Sequence, residues 1–367
     1  MKAKSSMLLL SLLALTGAAL VAGAAIRRWA APAPTAAQVL ANTPVDAGAA
    51  LSGTAPGFTL QDQFGRRVSL GQFHGKVVVL AFVDSECTTI CPLTTESMVG
   101  AERLLGPRAS RDVELLGVNA NPLATAVADV AAYSKEHGLL HRWLFLTGSR
   151  QALGAVWKAY GIYVQVTAGQ IDHTPALYVI GPRGQERWVA ETAMEYRAVN
   201  TEALVLAQAV DAALPASLRV TLPPLRVPPP PDPRSIRLQR LARTGSRTTV
   251  ALLDGRPQLT VFVASWVPNL AAEWASLSDW SATHPRWRVL VVDVVPVEPG
   301  VSAFARWRSA HPHLAGLPVA LDATGQAADA FGAANLPWLV LTDARGRTVR
   351  TYANWPTSAG WRHLGAP

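Results

Sequence analysis

The apolar positions of this chain come in short unbroken runs, separated by stretches in which they recur every three or four residues. Residues 76–83 are apolar after the first, 113–118 are apolar but for Glu114, and the runs at 143–146 and 177–180 are shorter. Runs of this length bounded by turn residues read as strands covered on both faces. Helical spacing falls on 91–105, 127–137, 151–160 and 201–213,. Strands alternating with helices predict an α/β fold built on a mostly parallel sheet.

The same order returns further along. Strand patterns fall on 259–263, 289–294 and 338–341, with helical patterns on 270–280, 301–310 and a turn at 327–331. Phe82-Val83-Asp84-Ser85-Glu86-Cys87 aligns with Phe262-Val263-Ala264-Ser265-Trp266-Val267. His173-Thr174-Pro175-Ala176 aligns with Asn335-Leu336-Pro337-Trp338, and in both copies a glycine nine residues after the proline (Gly184, Gly346) turns the next hairpin. The chain therefore reads as two copies of one architecture, of which only the first has thiols.

Between these patterns the boundaries are compositional. Residues 7–26 carry no charge and follow Lys2 and Lys4. As a helix they would reach ~30 Å, the thickness of a bilayer's hydrocarbon core. Residues 1–28 are expected to be a membrane anchor, with a cleaved signal segment as the alternative, and either places the soluble body outside the cytoplasm. Residues 29–54 are an Ala/Pro-rich tether. Pro223 to Pro233 contains seven prolines and reads as a polyproline spacer within a linker at 216–235, dividing a unit at 55–215 from one at 236–367,.

Composition narrows the function. Half of the 367 residues are hydrophobic and 16% are charged, which excludes a disordered chain,. The net charge of +8 is scattered, with no Lys/Arg run longer than two, so no nucleic-acid partner is expected,. Two cysteines exclude a disulfide-stapled scaffold and a Cys₄ metal site,.

Those cysteines lie in Cys87-Thr88-Thr89-Ile90-Cys91-Pro92, where a buried strand gives way to a helix. Pro92 suits a first helical turn, and both sulfurs should lie beside the helix N-terminus, which favours thiolate. Four residues' separation lets the pair form a disulfide or clamp one metal ion. Two thiolates leave a metal under-coordinated, and His173 is the best-placed third ligand among eight histidines. Two sulfurs and one imidazole suit Cu(I). His74, His137 and His141 read as surface residues near turns.

In order, Phe58-Thr59-Leu60-Gln61-Asp62-Gln63-Phe64-Gly65, Gly75-Lys76-Val77-Val78-Val79-Leu80-Ala81-Phe82, the Cys87–Pro92 motif, Leu146-Thr147-Gly148-Ser149 and Asp172-His173 resemble the Sco/SenC family over residues 55–215. The resemblance implies a thioredoxin-like fold and copper delivery to the CuA site of cytochrome c oxidase subunit 2 or another extracytoplasmic cuproprotein, or reduction of that site's cysteines. It implies Cys87, Cys91 and His173 as copper ligands, Asp172 as the residue orienting the imidazole, and a thiol reductant protein as a second partner. It departs from the family at Asp84 and Ser85, where an aromatic residue and Thr are usual, and at Asn121, where an acidic residue commonly precedes the proline. The second unit resembles thioredoxin-like proteins of the TlpA/ResA type, with Val267 and Leu270 replacing the cysteines and Trp266 placed where such folds expose a contact residue. The expected architecture is therefore two thioredoxin-like domains in tandem, each a central mixed β-sheet flanked by helices. Two functions remain open: a copper chaperone, or a thiol–disulfide oxidoreductase in which Cys87 attacks and Cys91 resolves.

Overall fold

A computed structural model describes residues 45–225, 232–241, 248–300, 302–314, 316–333 and 335–364. The candidate anchor at 7–26 and the middle of the proline spacer lie outside them. Among the described residues no helix is long and apolar enough to cross a membrane.

The first half opens with strand β1 (Ala49–Ala50) and a hairpin, β2 (Thr59–Gln61) and β3 (Arg67–Ser69). It continues with β4 (Val77–Val83), α1 (Ile90–Ala109), β5 (Val113–Asn119), α2 (Val127–Glu136), β6 (Leu144–Leu146) and α3 (Arg150–Ala159). A second hairpin, β7 (Val164–Thr167) and β8 (Gln170–His173), precedes β9 (Ala176–Ile180), β10 (Glu186–Glu191), a 3-10 turn at Tyr196–Ala198 and α4 (Val199–Ala213). The sheet order is β1-β10-β9-β4-β5-β6. Only β4, β5 and β6 run parallel, whereas β9, β10 and β1 join antiparallel. The mostly parallel sheet expected from the apolar runs is thus a mixed one. A central strand buried on both faces shows the same unbroken apolar run whichever way its neighbour points, so that pattern cannot report direction.

All seven residues of β4 are buried because its faces meet two different cores. Val77, Val79, Ala81 and Val83 pack with α1, α2 and α4, while Val78, Leu80 and Phe82 pack with α3 and the first hairpin. Period-two alternation splits one strand between two layers. The regular part of α1 ends where helical spacing fades, at Leu105: Gly106 takes φ +74°, a conformation costly for any side chain, and Pro107 follows,.

In the second half, β11 (Arg237–Arg240) and β12 (Thr249–Ala251) lead to β13 (Gln258–Val263), α5 (Leu270–Thr283), β14 (Arg288–Val294), α6 (Ala303–Ala310), β15 (Val319–Asp322), α7 (Gln326–Ala330), β16 (Trp338–Thr342), β17 (Thr348–Tyr352) and α8 (Ser358–His363). Its sheet, β12-β11-β15-β14-β13-β16-β17, repeats the arrangement around β4: β13 pairs parallel with β14 and antiparallel with β16. Leu336–Pro337 is a cis peptide at the start of β16. From Thr43 onward the chain forms one compact unit, so the two halves pack together.

Candidate functional site

β4 carries the chain to Val83, and the six residues after it turn into α1. The turn closes through Cys87 N–H, which donates to Asp84 O at 3.2 Å, and Thr89 stands at the N-cap position. Cys91 and Pro92 then fall in the first turn, where a helix leaves its N–H groups without internal acceptors. Pro92 removes one such donor. Cys91 N–H uses the Cys87 sulfur as its acceptor, at 3.4 Å. The Thr89 hydroxyl lies 3.3 Å from the same sulfur. Cys87 remains half-buried, whereas Cys91 is 1% exposed. Both are free thiols.

His173 closes the site from the second hairpin. It is the last residue of β8, paired with Val164. Thr174 fixes the hairpin's end: its N–H donates to Tyr163 O at 3.1 Å and its hydroxyl accepts from Tyr163 N–H at 3.2 Å. The imidazole Nδ1 lies 3.1 Å from Thr174 O. A carbonyl only accepts, so Nδ1 holds the proton and Nε2 keeps its lone pair. Nε2 stands 3.6 Å from the Cys91 sulfur. Asp172, the residue expected to orient the ring, is exposed on the opposite side of the strand, and Thr174 O does that work.

Electrostatics separate the two thiols. Hydrogen bonding from the Cys91 side chain, helped by Thr89 and by Cys91 N–H, outweighs burial and brings Cys87 down to about 7. Cys91 is pushed up, by burial first and then by Cys87 and by the charge of Asp84. Burial also lowers His173, against the Thr174 carbonyl and the carboxylates of Asp84 and Asp172. Above about pH 7 the site therefore holds one thiol proton, shared by the two sulfurs, and a neutral imidazole.

Asp84 is turned inward. Its Oδ1 accepts from Glu86 N–H at 2.8 Å and from the Asn121 amide at 2.7 Å, and the same amide reaches Glu86 Oε2 at 3.2 Å. An acid at position 121 would face both carboxylates, so Asn121 and Asp84 are a matched pair. The β4–β5 register sets this up by placing Asn119 beside Val83.

Several residues near the thiols were not foreseen. Tyr133 on α2 and Tyr196 on the 3-10 turn are buried, and the charge of the cysteine sulfurs adds to burial in holding both phenols protonated. His137, one turn past Tyr133, is not a surface residue: it is 5% exposed, its ring 4.9 Å from that of Trp266, and burial lowers it to about 3. Trp266 is correspondingly buried, its Nε1 donating to Val297 O at 2.7 Å.

Cys91 thus contacts both Cys87 and His173. Among the described residues no group of three or more His, Cys, Asp or Glu side chains is yet gathered closely enough to hold a metal ion.

Residues 48–204, which contain every residue of this site, match the SCO1/SenC family model. Over this span the first half is similar to the SCO1/SenC family. Over 133 residues the chain is 29% identical to the SCO1 protein homolog of Bacillus subtilis, a match covering 35% of this chain and 68% of that protein. It is 30% identical over 135 residues to the mitochondrial SCO2 homolog of Bos taurus, covering 35% of this chain and 50% of that one. Among solved structures, copper-bound ScoI of Bradyrhizobium japonicum aligns with 44% of this chain and all of its own, at 20% identity and a TM-score of 0.37.

Proposed function

We propose that this protein is an extracytoplasmic copper carrier in which Cys87, Cys91 and His173 hold Cu(I) and pass it to an oxidase or another cuproprotein. The observation that carries the reading is the approach of His173 Nε2 to within 3.6 Å of the Cys91 sulfur. Two sulfurs and one imidazole nitrogen are soft donors, and three of them satisfy Cu(I). Copper entry displaces the shared thiol proton and draws Cys87 in as third donor. Transfer follows by ligand exchange, with a recipient's sulfur or imidazole replacing these donors one at a time. The CuA centre of cytochrome c oxidase subunit 2 is the recipient we favour, and residues 7–26 are proposed to hold the body at the outer membrane surface.

The test is Cu(I) titration of the reduced full-length chain in detergent against a competing chelator, with His173→Ala alongside. One equivalent of copper should bind to the parent chain. The variant should lose at least about 100-fold in affinity while retaining two titratable thiols, since even groups that merely orient a ligand contribute 10–100-fold. Equal affinities would defeat the reading.

The difference between the thiols favours a second reading. Cys87, near pKa 7, would attack a disulfide as thiolate; Cys91 would then displace the mixed disulfide,. The substrate leaves as a dithiol, Cys87 and Cys91 are left as a disulfide, and a thiol reductant protein restores them. Full reductase turnover in His173→Ala, together with no copper binding by the parent chain, would select this reading.

A further inference from the structure

Close to the thiols, the first half packs against the cysteine-less half. Leu93, two positions past Cys91, has no exposed surface, and it shares its apolar cluster with Phe262, Trp266 and Val297 of the cysteine-less half. Tyr196 and Val199 belong to that cluster too. Helix α1 packs directly on the 3-10 turn Val295–Val297, whose Val297 carbonyl holds the Trp266 indole. Trp266 in turn faces His137, one turn beyond Tyr133.

The other edge of this contact is polar and specific. Asp329 on α7 accepts from the backbone N–H groups of Tyr196, at 2.8 Å, and Arg197, at 2.6 Å. Gly325, at the start of the same helix, approaches so closely that a Cβ there would stand 2.5 Å from Tyr196 Cβ and 2.6 Å from its carbonyl carbon. Backbone cannot yield to such an overlap as a flexible side chain does. This seam was shaped for contact between the two halves, since it uses a bare glycine and a carboxylate aimed at two amides.

We infer that the cysteine-less half is a built-in wall of the thiol site: it seals Cys91 behind Leu93, Tyr133 and Tyr196, and Asp329 is the positioning residue that keeps the Tyr196 side shut. It occupies, permanently and within one chain, the place a docked protein partner would take. Exchange with donors and recipients is then confined to the half-buried Cys87 and His173, with Cys91 as the inner anchor. The inference goes beyond copper and holds for either reading of the site, because it concerns access to sulfur.

Site-resolved alkylation of the metal-free, reduced full-length chain tests it, with iodoacetamide as the probe and each cysteine read by mass spectrometry. Asp329→Ala should speed Cys91 alkylation about tenfold by raising the population of the opened state, and should leave Cys87 within about twofold of the parent. Asp329→Asn, which keeps an acceptor for the amides, should restore most of the protection. A merely structural role would speed both thiols together. Gly325→Ala provides a second wedge at the same seam, with melting curves to show that each variant is folded. Folded Asp329→Ala and Gly325→Ala chains that alkylate Cys91 at the parent rate would overturn the inference. One measurement needs no substitution: the Tyr196 and Arg197 amides of the parent chain should exchange hydrogen as slowly as the core of β14. Exchange at the rate of an exposed loop would overturn it equally.

Discussion

The backbone N–H of Cys91 points at the sulfur of Cys87, 3.4 Å away, and this contact divides the labour of the two thiols. Cys87 collects hydrogen bonds from the Cys91 side chain, the Cys91 N–H and Thr89, so its thiolate is favoured at neutral pH. Cys91 receives burial and like charge, so it stays a thiol. Cys87 should therefore be alkylated first, with a rate that rises with pH through an inflection near 7. In Cys91→Ala the largest of these stabilising contacts is gone, and the inflection should climb toward the ~8.5 of an ordinary thiol. An unmoved inflection in the variant would show that Cys91 is not the cause.

Asp84 acts against the Cys91 thiolate from inside the protein. Its carboxylate is tied to Glu86 N–H and the Asn121 amide and cannot turn to solvent without breaking both. Asp84→Asn removes a charge that raises Cys91. The second alkylation, at Cys91, should then become faster at pH 8 by about threefold to tenfold, since one pKa unit is a factor of ten in thiolate. The converse change, Asn121→Asp, places a third carboxylate against Asp84 and Glu86 and should lower the melting temperature at pH 8 more than at pH 5. Thermal melts at the two pH values check this.

The Cys87–Pro92 turn was legible because three independent signals agreed there: an unbroken apolar strand, two thiols four apart, and a proline suited to a first helical turn. The order of the elements around β4 and its repeat around β13 were legible for the same reason, since buried strands announce themselves by continuous apolar runs. The hairpin that carries His173 was not. Its strands are four residues each and mostly exposed, and its turn is Ala168-Gly169 with both residues at positive φ, 51° and 83°. Such turns are signalled by Asn-Gly or Asp-Gly, and alanine conceals this one. Asp172 was misread with it, because which side of a short strand faces a site depends on register alone. His137 was misplaced for another cause, whereas Trp266 has the packing role its indole also allowed. The histidine is polar and sits next to a turn, and its burial comes from the opposite half of the chain, about which no local pattern carries information.

Glu96, Glu202 and Asp329 are three of the buried carboxyls that shape the pH response of the fold. Burial raises Glu96 and Glu202 to about 8 and Asp329 to about 7. Each stays protonated in the folded chain after its unfolded counterpart, near 4, has ionised. The folded state thus binds more protons, and stability is full below the unfolded pKa and lost as pH rises through the folded one. The window runs from about pH 4 to 8, and each group can cost up to about 1.4 kcal/mol per pH unit within it. Glu202→Gln should flatten this decline while retaining the hydrogen bond from Ser97, which donates to Glu202 at 2.9 Å. Denaturant midpoints at pH 5, 6, 7 and 8 measure it; parallel slopes for parent and variant would show that Glu202 is already charged in the fold.

His137 works in the opposite sense, and it does so at the seam between the halves. Burial against Trp266 lowers it to about 3, so it remains neutral in the folded chain at any pH above that. A chain opened at this contact would protonate the same ring near the ordinary 6.5. Because the folded pKa is depressed, this contribution is intact above about 6.5 and declines as the pH falls toward 3, favouring the opened form by about tenfold for each unit below 6.5. His137→Phe keeps a ring against the indole and cannot take the proton. At pH 7 the variant should melt within a few degrees of the parent; at pH 5 it should melt higher, and its Trp266 environment, followed by intrinsic fluorescence, should stay constant while the parent's shifts. The three carboxyls contribute equally to both chains, so the difference between the two melting curves isolates the histidine. If that difference is the same at pH 5 as at pH 7, His137 is exposed to solvent in the folded protein, and the seam that walls off Cys91 is open on that side.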